Sequence, residues 1–211
     1  MSSKIKEILA RSNPVMPVLA VENVEDAVPL AEALKRGGLT VLEVTLRTKA
    51  AFEVIKAMKQ VEGVTVGAGT LTNVGQLRDL EALGTDFAVS PGSTPQLLEV
   101  GRLSSVPYLP AVSTASEILK GMEVGYDCFK FFPAAVSGGV SALKAFYGPL
   151  PNLQFCPTGG ISASNFREYL ALPNVACVGG SWIVPGEALK KRDWGQIEAL
   201  ARQAKASANA G

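Results

Sequence analysis

Two charged residues of this chain sit in runs where charge is costly. Lys130 lies inside FKFFPA (129–134), among Phe129, Phe131 and Phe132, and Glu43 lies inside TVLEVTLR (40–47), between Leu42 and Val44. An ammonium or a carboxylate buried alone in such a run loses its hydration and needs a partner or a role. Side chains alternate along a strand. Glu43, Thr45 and Arg47 therefore share one face of their run, opposite Leu42, Val44 and Leu46, while Cys128, Lys130 and Phe132 share one face of theirs, opposite Phe129 and Phe131. If both polar faces turn inward, amine and carboxylate enter the same interior. They then read either as a structural ion pair or as chemistry: a lysine in apolar surroundings has a lowered pKa, and its neutral amine attacks carbonyl carbon to form a Schiff base. Arg47, at the end of its run, reads equally well as a solvated loop residue.

Composition narrows the chemistry further. The 211 residues contain no histidine, which removes Ser-His-Asp and Cys-His nucleophiles, H-E-x-x-H zinc sites and imidazole acid–base catalysis. Carboxylates, lysine, tyrosine or water must carry any proton transfer. Twenty basic and nineteen acidic residues leave a formal charge of +1 with no basic stripe, so no nucleic-acid partner is expected. The start, MSSKIKEILARSN, lacks the apolar core of a signal peptide, and no later segment approaches about 18 uninterrupted apolar residues. A cytoplasmic protein with no membrane partner is expected. Cys128, Cys156 and Cys177 are odd in number and widely spaced, which favours buried free thiols over disulfides or a metal site.

The elements that must position Lys130 and Glu43 follow from a repeated alternation. Eight apolar runs, at 15–21, 40–46, 65–70, 87–92, 106–112, 128–133, 154–160 and 175–180, start 19 to 26 residues apart. That interval fits one strand, one helix and two short loops. Between them, VEDAVPLAEALKRGG and TASEILKGMEVG show three- and four-residue apolar spacing and end in glycine, as surface helices do. The pattern predicts an α/β fold, a compact single-domain (β/α)8 TIM barrel over 1–211, with 1–13 as an additional N-terminal helix covering the lower end. An open doubly wound sheet is the structural competitor, and G-x-G-x-x-G after the first strand is missing. In a barrel, functional groups gather at the C-terminal strand ends. There the last two runs carry Gly159-Gly160 and Gly179-Gly180-Ser181, which read as tight strand exits taken singly and as a phosphate site taken together.

EVTLRT (43–48), VGAGT (66–70), SPG (90–92), FKFFPA (129–134), FCPTGG (155–160) and GGSW (179–182), in this order, resemble the 2-keto-3-deoxy-6-phosphogluconate (KDPG) aldolase family. That family includes bifunctional members acting on 4-hydroxy-2-oxoglutarate (KHG). The resemblance spans essentially the whole chain and implies a class I aldolase of the Entner-Doudoroff type, a homotrimer with no metal or organic cofactor. Its substrates would be small 2-oxo acids and phosphorylated aldehydes. Carried over by position, it implies Lys130 as the Schiff-base residue and Glu43 as the general acid–base. It also implies Arg47, Thr70 and Thr158 around the pyruvate part, and Gly159, Gly160, Gly180 and Ser181 at the phosphate. The fifth run departs, with Ala111 in LPAVST where the family commonly shows LPG, which bears on substrate breadth. The alternatives are a 2-dehydro-3-deoxy-6-phosphogalactonate aldolase, a non-covalent phosphosugar isomerase or decarboxylase, and a phosphometabolite-binding barrel.

Overall fold

Runs rich in valine, leucine and phenylalanine form parallel strands, and each return path is a helix. The computed structural model describes residues 2–208. The strands are β1 (Val15–Leu19), β2 (Val41–Thr45), β3 (Thr65–Gly69), β4 (Phe87–Val89), β5 (Tyr108–Leu109), β6 (Ala111–Val112), β7 (Cys128–Phe131), β8 (Gln154–Pro157) and β9 (Val178–Gly180). Six pair in the order β5-β4-β3-β2-β1-β9, and three in the order β6-β7-β8, all in parallel. Parallel neighbours cannot be joined by a tight hairpin, which is why a helix follows nearly every strand.

The sequence predicts one strand over 106–112, whereas two short ones are found. Pro110 separates them and has no N–H to continue a ladder. The chain changes partners there: Tyr108 and Leu109 pair with Ala88 and Val89, and Ala111 and Val112 pair with Lys130 and Phe131. On the opposite side, bridges from Phe155 to Val175 and from Thr158 to Gly179 link β8 to the chain that becomes β9. The result is a strongly curled parallel sheet.

Alternation sorts the core into two layers. Leu42, Val44, Phe129, Phe131 and Phe155 lie outside, in one cluster with helix residues such as Leu30, Leu34, Ile55, Ile118 and Leu143. Met16, Val41, Phe87, Val89, Leu109, Cys128, Cys156 and Cys177 form the inner cluster, with Ile5, Ile8 and Leu9 of helix α1 (Ser2–Arg11). All three cysteines are buried free thiols. Burial pushes the Cys128 thiol up to about 12, and the hydrogen bond to Cys156 at 3.6 Å, with burial, carries Cys177 well above its usual range. Among the described residues no helix is long and apolar enough to cross a membrane.

The helix following β6 (Ala115–Glu123) shows how local sequence sets an element boundary. Thr114 accepts a hydrogen bond from the Glu117 N–H at 3.3 Å, and the Glu117 carboxylate accepts from the N–H groups of Ser113 at 2.7 Å and Thr114 at 2.9 Å. This reciprocal capping box satisfies backbone donors that the helix cannot pair internally. Burial pushes the Glu117 carboxyl up, but the hydrogen bonds from Ser113 and Thr114 outweigh it and hold the group below its ordinary range. Thr114→Ala should cost about 1 kcal/mol of unfolding free energy in urea titration. A carboxyl depressed in the folded state stabilises above its unfolded pKa and stops doing so as pH falls through its folded pKa. The stability advantage of wild type over Glu117→Gln should therefore be full at neutral pH and shrink below about pH 4.

Candidate active site

Lys130 and Glu43 meet inside the curled sheet. The Lys130 Nζ lies 3.0 Å from Glu43 Oε1, and the two side chains are only 6% and 2% exposed. The residues come from distant strands: β1, β9 and β8 lie between β2 and β7 along one side of the curl. The pair thus reaches across the interior, and the four-carbon lysine stem supplies the reach. Strand parity brings both groups inward, with Cys128 and Val41 on the same faces two residues earlier. The Phe132 ring centroid lies 5.4 Å from Nζ, within cation–π range, whereas Phe129 and Phe131 belong to the outer layer.

Room for the carboxylate is provided by a glycine. A Cβ on Gly69 would come within 2.1 Å of Glu43 Oε1, so the second glycine of VGAGT is what lets Glu43 occupy its place beside β3. The first, Gly67, accommodates the Phe87 ring, 2.3 Å from where a Cβ would stand. The purpose of this motif is not legible from sequence, because each contact joins neighbouring strands.

Beyond the pair, the strand ends carry further polar groups. Thr45, buried at the end of β2, donates to the Leu19 carbonyl at 2.8 Å and accepts from Arg47 Nε at 3.1 Å. Arg47 itself is exposed, tethered to the strand by that one bond. Thr45 was visible as a same-face neighbour of Arg47, but its anchoring contact with β1 was not. Thr70, directly after β3, has φ of 62°, a conformation that costs a β-branched residue of order 1–3 kcal/mol. It is held there on both sides, by Leu46 N–H to the Gly69 carbonyl at 2.8 Å and Leu71 N–H to the Val89 carbonyl at 3.0 Å. Thr158, after β8, is buried and its hydroxyl has no hydrogen-bond partner among the described residues. Such an unmade bond is the kind a ligand completes.

Gly159 and Gly160 both have positive φ, 98° and 74°, turning the chain sharply off β8. Gly180 ends β9 under the Trp182 ring, and Ser181 is exposed beside it. Direct contacts therefore join Lys130, Glu43 and Phe132, while no hydrogen bond among the described residues links Arg47, Thr70 or Ser181 to that pair.

A family model described as KDPG and KHG aldolase matches residues 5–200. The chain belongs to this aldolase family. It is 54% identical over 196 residues to a 2-dehydro-3-deoxy-phosphogluconate aldolase from Pseudoalteromonas atlantica, covering 92% of this chain and 91% of that one. It is 49% identical over 199 residues to the KHG/KDPG aldolase of Escherichia coli K12, covering 94% and 93%. Among solved structures, a KDPG aldolase from Legionella pneumophila, with pyruvate captured at low pH as a covalent carbinolamine intermediate, superposes with a TM-score of 0.92 at 49% identity, covering 94% of this chain and 97% of that one.

A buried pair loses more when one partner is removed than when both are. Lys130→Met, which strands the Glu43 carboxylate, should lower unfolding free energy by about 3–5 kcal/mol, and adding Glu43→Leu should recover most of it in equilibrium denaturation.

Proposed function

We propose that this protein is a class I aldolase that reversibly cleaves 2-dehydro-3-deoxy-6-phosphogluconate to pyruvate and glyceraldehyde 3-phosphate through a Schiff base on Lys130. The observation that carries this reading is the buried 3.0 Å contact between Lys130 Nζ and Glu43 Oε1. An amine beside a carboxylate, in a chain with no histidine, meets the needs of imine chemistry with few parts. Glu43 takes a proton from Lys130, the freed amine adds to the C2 carbonyl of the substrate, and the resulting carbinolamine loses its hydroxyl as water with the proton that Glu43 returns, leaving a protonated imine and the Glu43 carboxylate. Glu43 removes the C4 hydroxyl proton, directly or through one water. The C3–C4 bond breaks as the new C4 carbonyl forms, and the bonding pair moves into the iminium to give an enamine. Glyceraldehyde 3-phosphate leaves. The Glu43 carboxyl returns a proton to C3, and water then hydrolyses the imine to pyruvate and free Lys130.

The remaining site residues take supporting roles in this proposal. Arg47 holds the substrate carboxylate as a planar, permanently charged fork, with Thr70 and Thr158 at the pyruvate part. The backbone turn at Gly159 and Gly160, with Gly180 and Ser181, receives the phosphate. Activity on 4-hydroxy-2-oxoglutarate, giving pyruvate and glyoxylate, is a second reading favoured by the family description and by the name of the Escherichia coli relative.

We also infer that the curled sheet is a complete (β/α)8 barrel forming one domain, with α1 covering the N-terminal strand ends. The continuous chain through Pro110 and the bridges from β8 toward β9 support closure, and the packing of Ile5, Ile8 and Leu9 on the inner cluster supports the cap. A homotrimer is carried over from the family resemblance. A cytoplasmic location fits three buried free thiols.

Borohydride reduction with pyruvate should leave a stable pyruvate adduct on Lys130 by mass spectrometry, and wild-type protein without that adduct would refute the covalent mechanism. Glu43→Gln should still form the adduct, more slowly than wild type because Lys130 loses its neighbouring proton acceptor, while cleavage slows by about 10²–10⁴-fold, the usual worth of a positioned acid–base group. For the phosphate site, Ser181→Ala should raise KM more for the phosphorylated substrate than for 4-hydroxy-2-oxoglutarate, and equal effects on both would remove Ser181 from that role.

A further inference from the structure

Three hydroxyl groups behind the β5–β6 break have no part in the mechanism above. Tyr108 is buried, with its ring against Gly101 on the outer side of the sheet. Its phenol oxygen lies 2.6 Å from Ser90 Oγ and 3.0 Å from Ser93 Oγ. Ser90 Oγ in turn accepts the Ala111 N–H at 3.3 Å, and Ser93 Oγ makes a long bond of 3.5 Å to the Ala111 carbonyl. The two serine oxygens are themselves 3.3 Å apart.

The ends of this network fix its direction. A backbone N–H only donates and a carbonyl only accepts. The order in which each hydroxyl donates once and accepts once runs from the Ala111 N–H to Ser90, to Tyr108, to Ser93 and back to the Ala111 carbonyl. Tyr108 is the middle link of a loop that begins and ends on one residue. Burial pushes its phenol up, against the opposing effect of the hydrogen bonds it shares with Ser90 and Ser93, which keeps the donor proton in place. The loop stands where the β4 ladder stops: Val89 pairs with Leu109, and one step on, serine hydroxyls take over the edge of Ala111. Ala111 is the register partner of Lys130, whose N–H donates to the Pro110 carbonyl at 2.9 Å.

We propose that Tyr108 is a positioning residue for the Lys130 chemistry, acting through Ser90 and Ser93 to fix the Pro110–Ala111 backbone against which the lysine strand is registered. The inference rests on the aldolase reading above. Half-buried Tyr126 provides the contrast. It stacks edge-on to Tyr108 with centroids 5.9 Å apart, but its hydroxyl donates to the Leu98 carbonyl at 2.9 Å, within the helix layer and away from Ala111.

The test compares wild type, Tyr108→Phe, Ser90→Ala, their double variant and Tyr126→Phe, well below every melting midpoint. It reads kcat and KM for cleavage together with the rate of borohydride-trapped pyruvate adduct on Lys130. Tyr108→Phe should lower kcat and the trapping rate about tenfold, with KM within about twofold of wild type. Ser90→Ala should match it, and the double variant should lose no more than either single change, as expected of one coupled chain. Tyr126→Phe should lower the melting temperature and leave kcat unchanged. The inference is overturned by wild-type kcat in Tyr108→Phe, by an equal kcat loss in Tyr126→Phe, or by losses that multiply in the double variant. If Tyr108→Phe does not fold, Ser93→Ala, which opens the same loop at its weakest bond, should slow trapping severalfold, and an unchanged rate overturns the proposal. Wild type without any adduct overturns the aldolase reading and this inference with it, whereas an adduct formed equally fast in wild type and Tyr108→Phe overturns this inference alone.

Discussion

A buried ammonium and a buried carboxylate constrain their surroundings more than any apolar contact does. Each loses its water on folding, and their attraction offsets that loss only at close range and good geometry. The 3.0 Å contact between Lys130 and Glu43 therefore dictates much around it. Both strands must present the correct parity, their registers must bring the two side chains to one level, and the neighbouring strand must leave space. Gly69 leaves that space, because any side chain there would displace the carboxylate. The inner cluster toward the strand starts, including Met16, Phe87 and Cys128, is apolar.

The chain around this pair departs from regular geometry in two places. At Pro110 one strand is split between two partners, so that Ala111 leaves the β4 ladder and aligns with Lys130. Thr70 adopts a left-handed conformation immediately after Gly69, and hydrogen bonds on both sides hold it there. Strain of this kind persists only where neighbouring structure fixes it, and it occurs preferentially at functional positions.

The parts of this arrangement that could be read from sequence are those encoded over short distances. Strand parity placed Glu43 and Lys130 inward and turned Phe129 and Phe131 outward, since it depends only on alternation within a run. Helix boundaries such as Thr114 and Glu117 follow from capping chemistry three residues apart. The split at Pro110 was missed because VPYLPAV has the composition of one strand, and only the competition between two neighbours divides it. Gly69 was recognised as part of a motif, but its steric purpose lies in Glu43, 26 positions earlier in sequence. The Tyr108 network was invisible for the same reason: Ser90 and Tyr108 meet at 2.6 Å across 18 positions, and neither spacing nor periodicity marks them.

The absence of histidine gives the Lys130–Glu43 contact a second meaning. A lysine must lose a proton before it can attack a carbonyl carbon, and the group that takes it must be near. Glu43 Oε1 is already at hydrogen-bond distance. A proton can pass directly along that contact, and the amine it leaves behind is the form that attacks carbonyl carbon. On the proposed mechanism, the contact that holds the resting pair together is therefore also the path by which it becomes reactive.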